Sequence, residues 1–489
     1  MAPHAEASLG VEGSAQKDTH EWALEGADDD VWVPASRQPS ALPKSAISHA
    51  APGGRQVSSM LGSLHPHAGH SSWVTAAGHL VTAVIGAGIL GLPYAVSWLG
   101  WAAGLACLVI FFVITLWSCT MLTDCYHYKG KRHTRYKWAV LHIIGPRHAV
   151  VLEVCQKLNM CLTTIGYMIA AADSMRYIAR LACKRAGVEA CPLDAQWQHT
   201  LIFGAVQILM SMMPNLESAW WSSIIGALMS IGYSVLAVAL GASQAGNHQG
   251  SLTGRTAPPL DKVFGVFNSL GNIAFAFNSA IILMEIQDTL REPPRAEVSM
   301  KKTVRVGLGS TFAFYVAVSV CGYMALGDTV PDNVLLGFSN SPDWVSLLAN
   351  FMVLIHMVSA FQVYAQPVFQ TIEDVVLYFR PALQFSNGKT EFFIRLGYRT
   401  LYCAFATFIA SLLPFFSCFT GLVGAITYWP TAVAYPIMMY IRVKSPSAHV
   451  QRLMWTVLVG MGAVALIATV GSVESIAHQA STFTVFEKP

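Results

Sequence analysis

The stretch Val84-Ile85-Gly86-Ala87-Gly88-Ile89-Leu90-Gly91-Leu92-Pro93-Tyr94 places three glycines and a proline inside an otherwise apolar helical run. In lipid every backbone N–H and C=O needs a partner, so unwound backbone survives only where it lines a buried, polar cavity. Helices broken at the bilayer midplane are how many secondary carriers hold small charged solutes. This segment turns a generic membrane-protein reading into that of a small-solute carrier.

The rest of the chain supports a membrane setting. Its 489 residues are 54% hydrophobic and 12% charged, with mean hydropathy +0.48. That charged fraction is about half of what a soluble domain carries. The class is a polytopic α-helical membrane protein, with the lipid bilayer as its surroundings. A net charge of +3 without a basic-aromatic stripe gives no nucleic-acid partner. The ten cysteines show no metal-ligand spacing. Most, including Cys107, Cys119, Cys161, Cys321, Cys403 and Cys418, lie in apolar spans and read as small packing residues.

Apolar stretches near 20 residues give about eleven spans, near 73–96, 101–123, 149–180, 198–214, 219–241, 262–289, 303–326, 344–378, 394–413, 418–441 and 453–474. Those near 149–180 and 344–378 exceed the bilayer thickness and are expected to tilt or protrude. Residues 1–70 are polar and rich in Ala, Ser, Pro and His, a composition that cannot bury a core, and read as a disordered cytoplasmic tail. Residues 71–476 form the transmembrane domain, and 477–489 a short tail on the far side. Protein partners of the N-terminal tail are unknown.

Basic residues fall on one side: Lys129, Lys131, Arg132, Arg135, Lys137 and Arg147, then Arg291, Arg295, Lys301, Lys302 and Arg305, then Arg380, Lys389, Arg395 and Arg399, then Arg442, Lys444 and Arg452. By the positive-inside rule that side is the cytoplasm, and the N-terminus lies there too. Cys183 and Cys191 then sit in an external, oxidising loop. A disulfide closing that loop is expected. The alternative is two free thiols wrongly placed to pair. The plasma membrane is the default location, with an internal membrane as the alternative.

The halves hint at an inverted repeat, spans one to five against six to ten. Span six carries a second interruption, Asn272-Ile273-Ala274-Phe275-Ala276-Phe277-Asn278-Ser279-Ala280. Corresponding interruptions in the two halves point to the binding site. Around Ile85, Gly86, Ala87 and Gly88, glycine permits the dihedrals that end and restart a helix. The half-helix that follows presents unpaired N–H groups and a positive dipole end, suited to a carboxylate. The plainer alternative is close helix packing by small residues. Phe275 and Phe277 offer apolar area opposite, Asn278 and Ser279 hydrogen bonds, and an aromatic here is as often packing as a gate.

Ionisable residues within spans are costly and usually functional. His79 precedes the first break and His356 lies in span eight. An ordinary histidine pKa near 6.5 suits coupling to protons, and a neutral histidine bonded to a backbone carbonyl is the structural alternative. Asp173 reads as an ion pair with Arg176 one turn away, or as a contact for a substrate amine. Glu285 and Asp288 are candidates for an inner gate with Arg291 or the basic loop after it, or for an exposed interfacial cluster. Glu153 and Lys157, one turn apart, read as structural. Enzyme chemistry has little support: there is no HExxH, no phosphate loop and no nucleophile elbow, and Gly307-Leu308-Gly309 lacks the strand context of a dinucleotide fingerprint.

From about Trp73 to Tyr440 the chain resembles the amino acid/auxin permease family, most closely its plant amino acid permease branch. The residues that carry the resemblance are Gly271-Asn272-Ile273-Ala274-Phe275-Ala276 and Glu285-Ile286-Gln287-Asp288-Thr289-Leu290. Others are Trp73-Val74-Thr75-Ala76 with His79, Ile85-Gly86-Ala87-Gly88, Trp101, Asn159, Ile165-Gly166-Tyr167, and His356 with Phe361-Gln362-Val363-Tyr364-Ala365-Gln366-Pro367. The paired outer-loop cysteines agree with that branch.

The resemblance implies the all-α, broken-helix inverted-repeat transporter fold of the amino acid–polyamine–organocation superfamily, with about eleven transmembrane helices. It also implies proton-coupled amino acid symport by alternating access. Spans three, four, eight and nine would rock against one, two, six and seven. Amino acid and H+ are the implied partners. No cofactor is expected beyond the proton motive force, with sodium as the other coupling ion. By carry-over Gly86–Gly88 would bind carboxylate, His79 and His356 match histidines of the branch, and Asn159, Tyr167 and Phe275–Ser279 would line or neighbour the pocket.

The chain departs from that branch in several places. Phe277-Asn278-Ser279-Ala280 stands where plant members carry a Tyr-Ala-Tyr-Ser type stretch, and Asp173 replaces an apolar residue. Gly91-Leu92-Pro93-Tyr94 is nearer the lysine/histidine transporter branch. The long tail suggests an algal or otherwise divergent member. The added acid and amide lead to the expectation of cationic or polar substrates. Rival functions are a carrier for another small carboxylate such as auxin, a sodium-coupled carrier, a non-transporting amino acid receptor and a passive channel.

Overall fold

The computed structural model describes residue 69 and residues 71–212, 220–246, 250–338, 340–379 and 388–483. The tail expected over 1–70 lies outside the described residues apart from Gly69. The described residues are mostly helical, with a two-stranded hairpin, β1 (His127–Tyr128) with β2 (Lys131–Arg132). Seven helical tracts among the described residues are long and apolar enough to cross a membrane. Together with four shorter or more polar ones, they occupy the positions of all eleven expected spans.

Span one is α1 (Trp73–Val84) and the start of α2 (Gly88–Thr123). Ser72 caps α1 by accepting from the Thr75 amide at 3.1 Å. The helix ends at Ile85, which has non-helical dihedrals. Gly100, with φ +79°, then kinks α2 and separates spans one and two without a loop. A β-carbon there would collide with the Leu252 carbonyl, so the kink needs glycine for both dihedral and space.

After α3 (Tyr136–Ile143), span three is α4 (Pro146–Arg185), span four α5 (Gln196–Ser211) and span five α6 (Trp220–Ser243). Span six is broken like span one. Its first half α7 (Pro259–Ala276) is followed by non-helical Phe277–Ser279, a 3-10 turn at Ala280–Ile282, and α8 (Leu283–Asp288). Spans seven, eight and nine are α9 (Ala296–Leu326), α10 (Asp343–Phe379) and α11 (Gly388–Leu412). Span ten is α12 (Phe416–Tyr428), one π-helical turn over Trp429–Ala434, and α13 (Tyr435–Lys444). Span eleven, α14 (Ala448–Thr482), runs into the stretch expected as a tail.

Packing sorts these helices into two groups. α4 packs on α5 and α10, and α11 on α4 and α5; α1, α2, α7 and α9 form the second group. α6 touches both α9 and α10, and α12 and α14 lie against α7. The α7–α12 contact is backbone on backbone. A β-carbon on Gly424 would collide with the Gly271 carbonyl, and one on Gly271 with the Gly421 carbonyl. With no water to expel between helices in lipid, such close approach through small residues is a main source of association.

Outside the spans, Cys183 and Cys191 are joined by a disulfide, with Cα atoms 5.7 Å apart. The Asp173–Arg176 pair does not form. Asp173 accepts from Gln196 Nε2 at 2.6 Å, and Arg176 donates to the Asp194 carbonyl at 2.6 Å. Arg180 also donates to the Asp194 carboxylate. One turn of helix allowed the first pair, but the loop back to α5 supplies nearer partners. Glu153 likewise pairs with Lys137 at 2.6 Å, while Lys157 donates to the Pro367 carbonyl at 2.9 Å.

Candidate functional site

The two breaks meet. A β-carbon built on Gly88 would lie 3.0 Å from the Ala276 Cα, so the start of the second half of span one abuts the end of the first half of span six. Between them and α4 lies a small cavity. Of the residues expected to bind substrate, Gly86, Ala87, Gly88, Asn159, Tyr167, Phe275 and Asn278 line it. Ile85 is fully buried behind the lining. Phe277 is packed edge-on against Tyr315, with ring centroids 5.2 Å apart. Ser279 is buried with its hydroxyl 3.6 Å from Cys119 Sγ. These three shape the wall from behind.

The unwound backbone is held by tyrosines that sequence reasoning missed. The one hydroxyl proton of Tyr315 on α9 is shared between the carbonyls of Val84 and Ala276, each 2.8 Å from its oxygen, and so bridges the end of α1 to the end of α7. Tyr233 on α6 donates to the Gly86 carbonyl at 3.0 Å. Breaking a helix frees carbonyls, and a buried carbonyl without a partner costs about 1–3 kcal/mol. The amides at the start of α2 have no such side-chain cap, which leaves the positive end of that half-helix turned to the cavity.

His356 stands behind this point. Its Nδ1 lies 2.8 Å from the Gly226 carbonyl, which can only accept, so Nδ1 carries the proton. Nε2 is then the basic nitrogen. It is buried without a hydrogen-bond partner, 3.7 Å from where a β-carbon on Gly86 would sit. The Tyr167 hydroxyl is the same distance from that point. His79, by contrast, is exposed on α1 and lines no part of the cavity.

The opposite end is a hydroxyl-amide cluster. Thr427 accepts from Asn159 Nδ2 at 2.8 Å and from Asn278 Nδ2 at 3.2 Å, and Thr431 donates to Asn278 Oδ1 at 3.0 Å. Neither threonine carries a sequence signal for this role. Ala83, Val84, Thr163, Ala276 and Tyr364 complete the lining. Thr163 was legible in principle, because Asn159, Thr163 and Tyr167 recur every four residues and share one face of α4.

The gate candidates lie on the side carrying the basic loops. Asp288 pairs with Arg132 of β2 at 2.6 Å rather than with Arg291 or the loop after it. Arg132 also donates to the Asp288 carbonyl at 3.1 Å. The hairpin reaches α8 across the end of α2, a proximity that sequence order hides. Hydrogen bonding to Asp288 holds the Arg132 guanidinium above its ordinary pKa against the effect of burial. Glu285 is exposed on α8. Asp124–Lys301 at 2.6 Å and His127–Glu297 at 2.5 Å extend the network to α9.

A family model described as "Transmembrane amino acid transporter protein" matches residues 69–476. Amino acid permease 2 of Arabidopsis thaliana is 36% identical over 84% of this chain and 89% of its own length. Amino acid permease 3 of the same plant is 36% identical over 85% and 92%. Among solved structures, a sodium-coupled sialic acid symporter in its substrate-bound outward-open state aligns at 11% identity and TM-score 0.45, over 86% of this chain and 92% of that one.

Proposed function

The chain belongs to the family of transmembrane amino acid transporter proteins, and on that premise we propose that it is a proton-coupled amino acid symporter working by alternating access. It is a multi-pass membrane transporter rather than an enzyme. The observation that carries the proposal is the pairing of an unwound, amide-rich Gly86–Gly88 segment with the unpartnered Nε2 of His356 behind it.

The substrate carboxylate seats on the amides at the start of α2, where N–H groups and helix dipole both favour an anion. The ammonium group meets the Val84 and Ala276 carbonyls, which Tyr315 holds in place. A proton on His356 Nε2 adds a positive charge behind the carboxylate. Two opposite charges about 6 Å apart at an effective dielectric of about 20 attract by about 3 kcal/mol, a coupling of about a hundredfold. By linkage, proton and substrate then raise each other's affinity equally. We assign coupling to His356 rather than His79 because His79 lies exposed, away from the cavity.

Transport follows when α4, α5, α10 and α11 rock against α1, α2, α7, α8 and α9. The excess of basic residues in one set of loops supports a cytoplasmic N-terminus, and the plasma membrane is the proposed location. The test is uptake of radiolabelled amino acids into proteoliposomes with an imposed or collapsed proton gradient. Gradient-driven accumulation is expected, and H356Q is expected to bind amino acid while losing accumulation. Accumulation driven by a sodium gradient alone overturns the proton assignment.

A further inference from the structure

We infer that Thr163 is a specificity-determining residue: its hydroxyl selects neutral amino acids whose side chains carry an amide or hydroxyl over apolar ones of the same shape. This rests on the reading of the cavity as an amino acid site.

Thr163 is 2% exposed, and its Oγ1 has no hydrogen-bond partner. That is unusual among the buried threonines of these spans. Thr311, Thr407 and Thr420 each donate to the carbonyl four residues earlier, at 3.0, 2.7 and 2.9 Å. An unsatisfied buried hydroxyl is costly, so it stands ready for a polar group entering the cavity.

Its position fits a side-chain reader. Tyr167 marks the Gly86 end, where the α-carboxylate seats. Four residues of helix is about 6 Å, so Thr163 lies about 6 Å from Tyr167 along α4 and Asn159 about 12 Å. A side chain extending from the carboxylate end along α4 brings its second or third carbon to Thr163. Of the amide groups nearby, Asn159 Nδ2 is committed to Thr427, and both amide atoms of Asn278 to Thr427 and Thr431. Among the described lining residues none is a carboxylate, ammonium or guanidinium. A charged side chain therefore finds no counter-charge, and Asp173, bound to Gln196, does not supply one.

The experiment compares near-isosteric pairs in proteoliposomes: serine against 2-aminobutyrate, and glutamine against methionine. The wild-type protein is expected to favour the polar member of each pair. T163V keeps the shape and removes the hydroxyl. It is expected to lower the polar-to-apolar ratio of kcat/KM by about three- to tenfold, the range of one neutral hydrogen bond. T163S is expected to restore it, and T163A to act like T163V if the valine variant fails to fold. Equal loss for both members of each pair, an unchanged ratio, or a wild-type preference for the apolar members overturns the inference while leaving amino acid transport intact. Absence of flux for every amino acid in the wild type overturns the underlying reading and the inference with it.

Discussion

The Tyr233 hydroxyl donates to the Gly86 carbonyl across 3.0 Å, so span five holds the backbone at the point where span one is unwound. Y233F removes the nearer partner of that carbonyl and leaves it the Ile89 amide at 3.4 Å, a loss of about 0.5–1.5 kcal/mol. Substrate affinity is expected to fall about tenfold, read as a rise in KM, with the amount of folded protein nearly unchanged. Equal KM in the two proteins would falsify a positioning role.

Tyr315 serves two carbonyls, one from each broken span. Y315F is expected to be the more damaging change, with at least a tenfold loss of kcat/KM, because both chain ends lose a tether. Uptake kinetics of Y233F and Y315F side by side rank them. The reverse order would show that the bridge between α1 and α7 is dispensable.

Gly424 faces the Gly271 carbonyl, and its β-carbon would lie 2.9 Å from Phe275 Cα. G424A is expected to push α7 from α12 and destabilise the protein by about 1–3 kcal/mol, as overpacking does. Activity should fall too, since Phe275 lines the cavity. G460A, at a helical position with open space around it, is the control and is expected to be neutral or slightly stabilising. Thermal midpoints in detergent decide the matter.

Cys183 and Cys191 close a short loop at the end of α4. Replacing both with serine is expected to cost about 2–3 kcal/mol by freeing the unfolded chain. In intact cells, C183S should leave Cys191 open to a membrane-impermeant maleimide. Labelling only after permeabilisation would overturn the orientation inferred from the basic loops.

A hydrogen bond from Arg180, with Arg176 nearby, holds the Asp194 carboxyl below the usual carboxylate range. A depressed pKa stabilises the fold fully above the unfolded value of about 3.9, and the gain is lost as pH falls below it through the folded value. Thermal midpoints of the wild type and D194N should therefore differ by a small constant amount above about pH 5 and converge toward pH 3. The difference stays small because the pair is partly exposed and solvent-screened.

Much of the fold was legible because glycine, proline and small polar residues interrupt the apolar runs where lipid forbids loose backbone. Gly86 and Gly88 marked one break, and Phe277-Asn278-Ser279 the other. The site was legible only where its residues lie in those segments or share a helix face. Tyr315 is 231 residues from Val84, and Thr427 is 268 from Asn159. Neither has a local pattern that foretells the contact. The Asp173 and Asp288 partners differed from expectation for the same reason. One-turn spacing shows which residues can meet, and a competing loop settles which do.

The π-helical turn at Trp429–Ala434 fixes the angular phase of everything after it in span ten. Each residue of an α-helix advances the side-chain direction by about 100°, so the extra residue of a wide turn resets the facing of α13 by about that angle. Upstream of the reset, Thr427 is aimed at Asn278; downstream, Arg442 reaches the Ile143 and Ile144 carbonyls at 3.1 and 2.9 Å. One membrane span thereby serves two azimuths, which a uniform helix of the same sequence could not satisfy together.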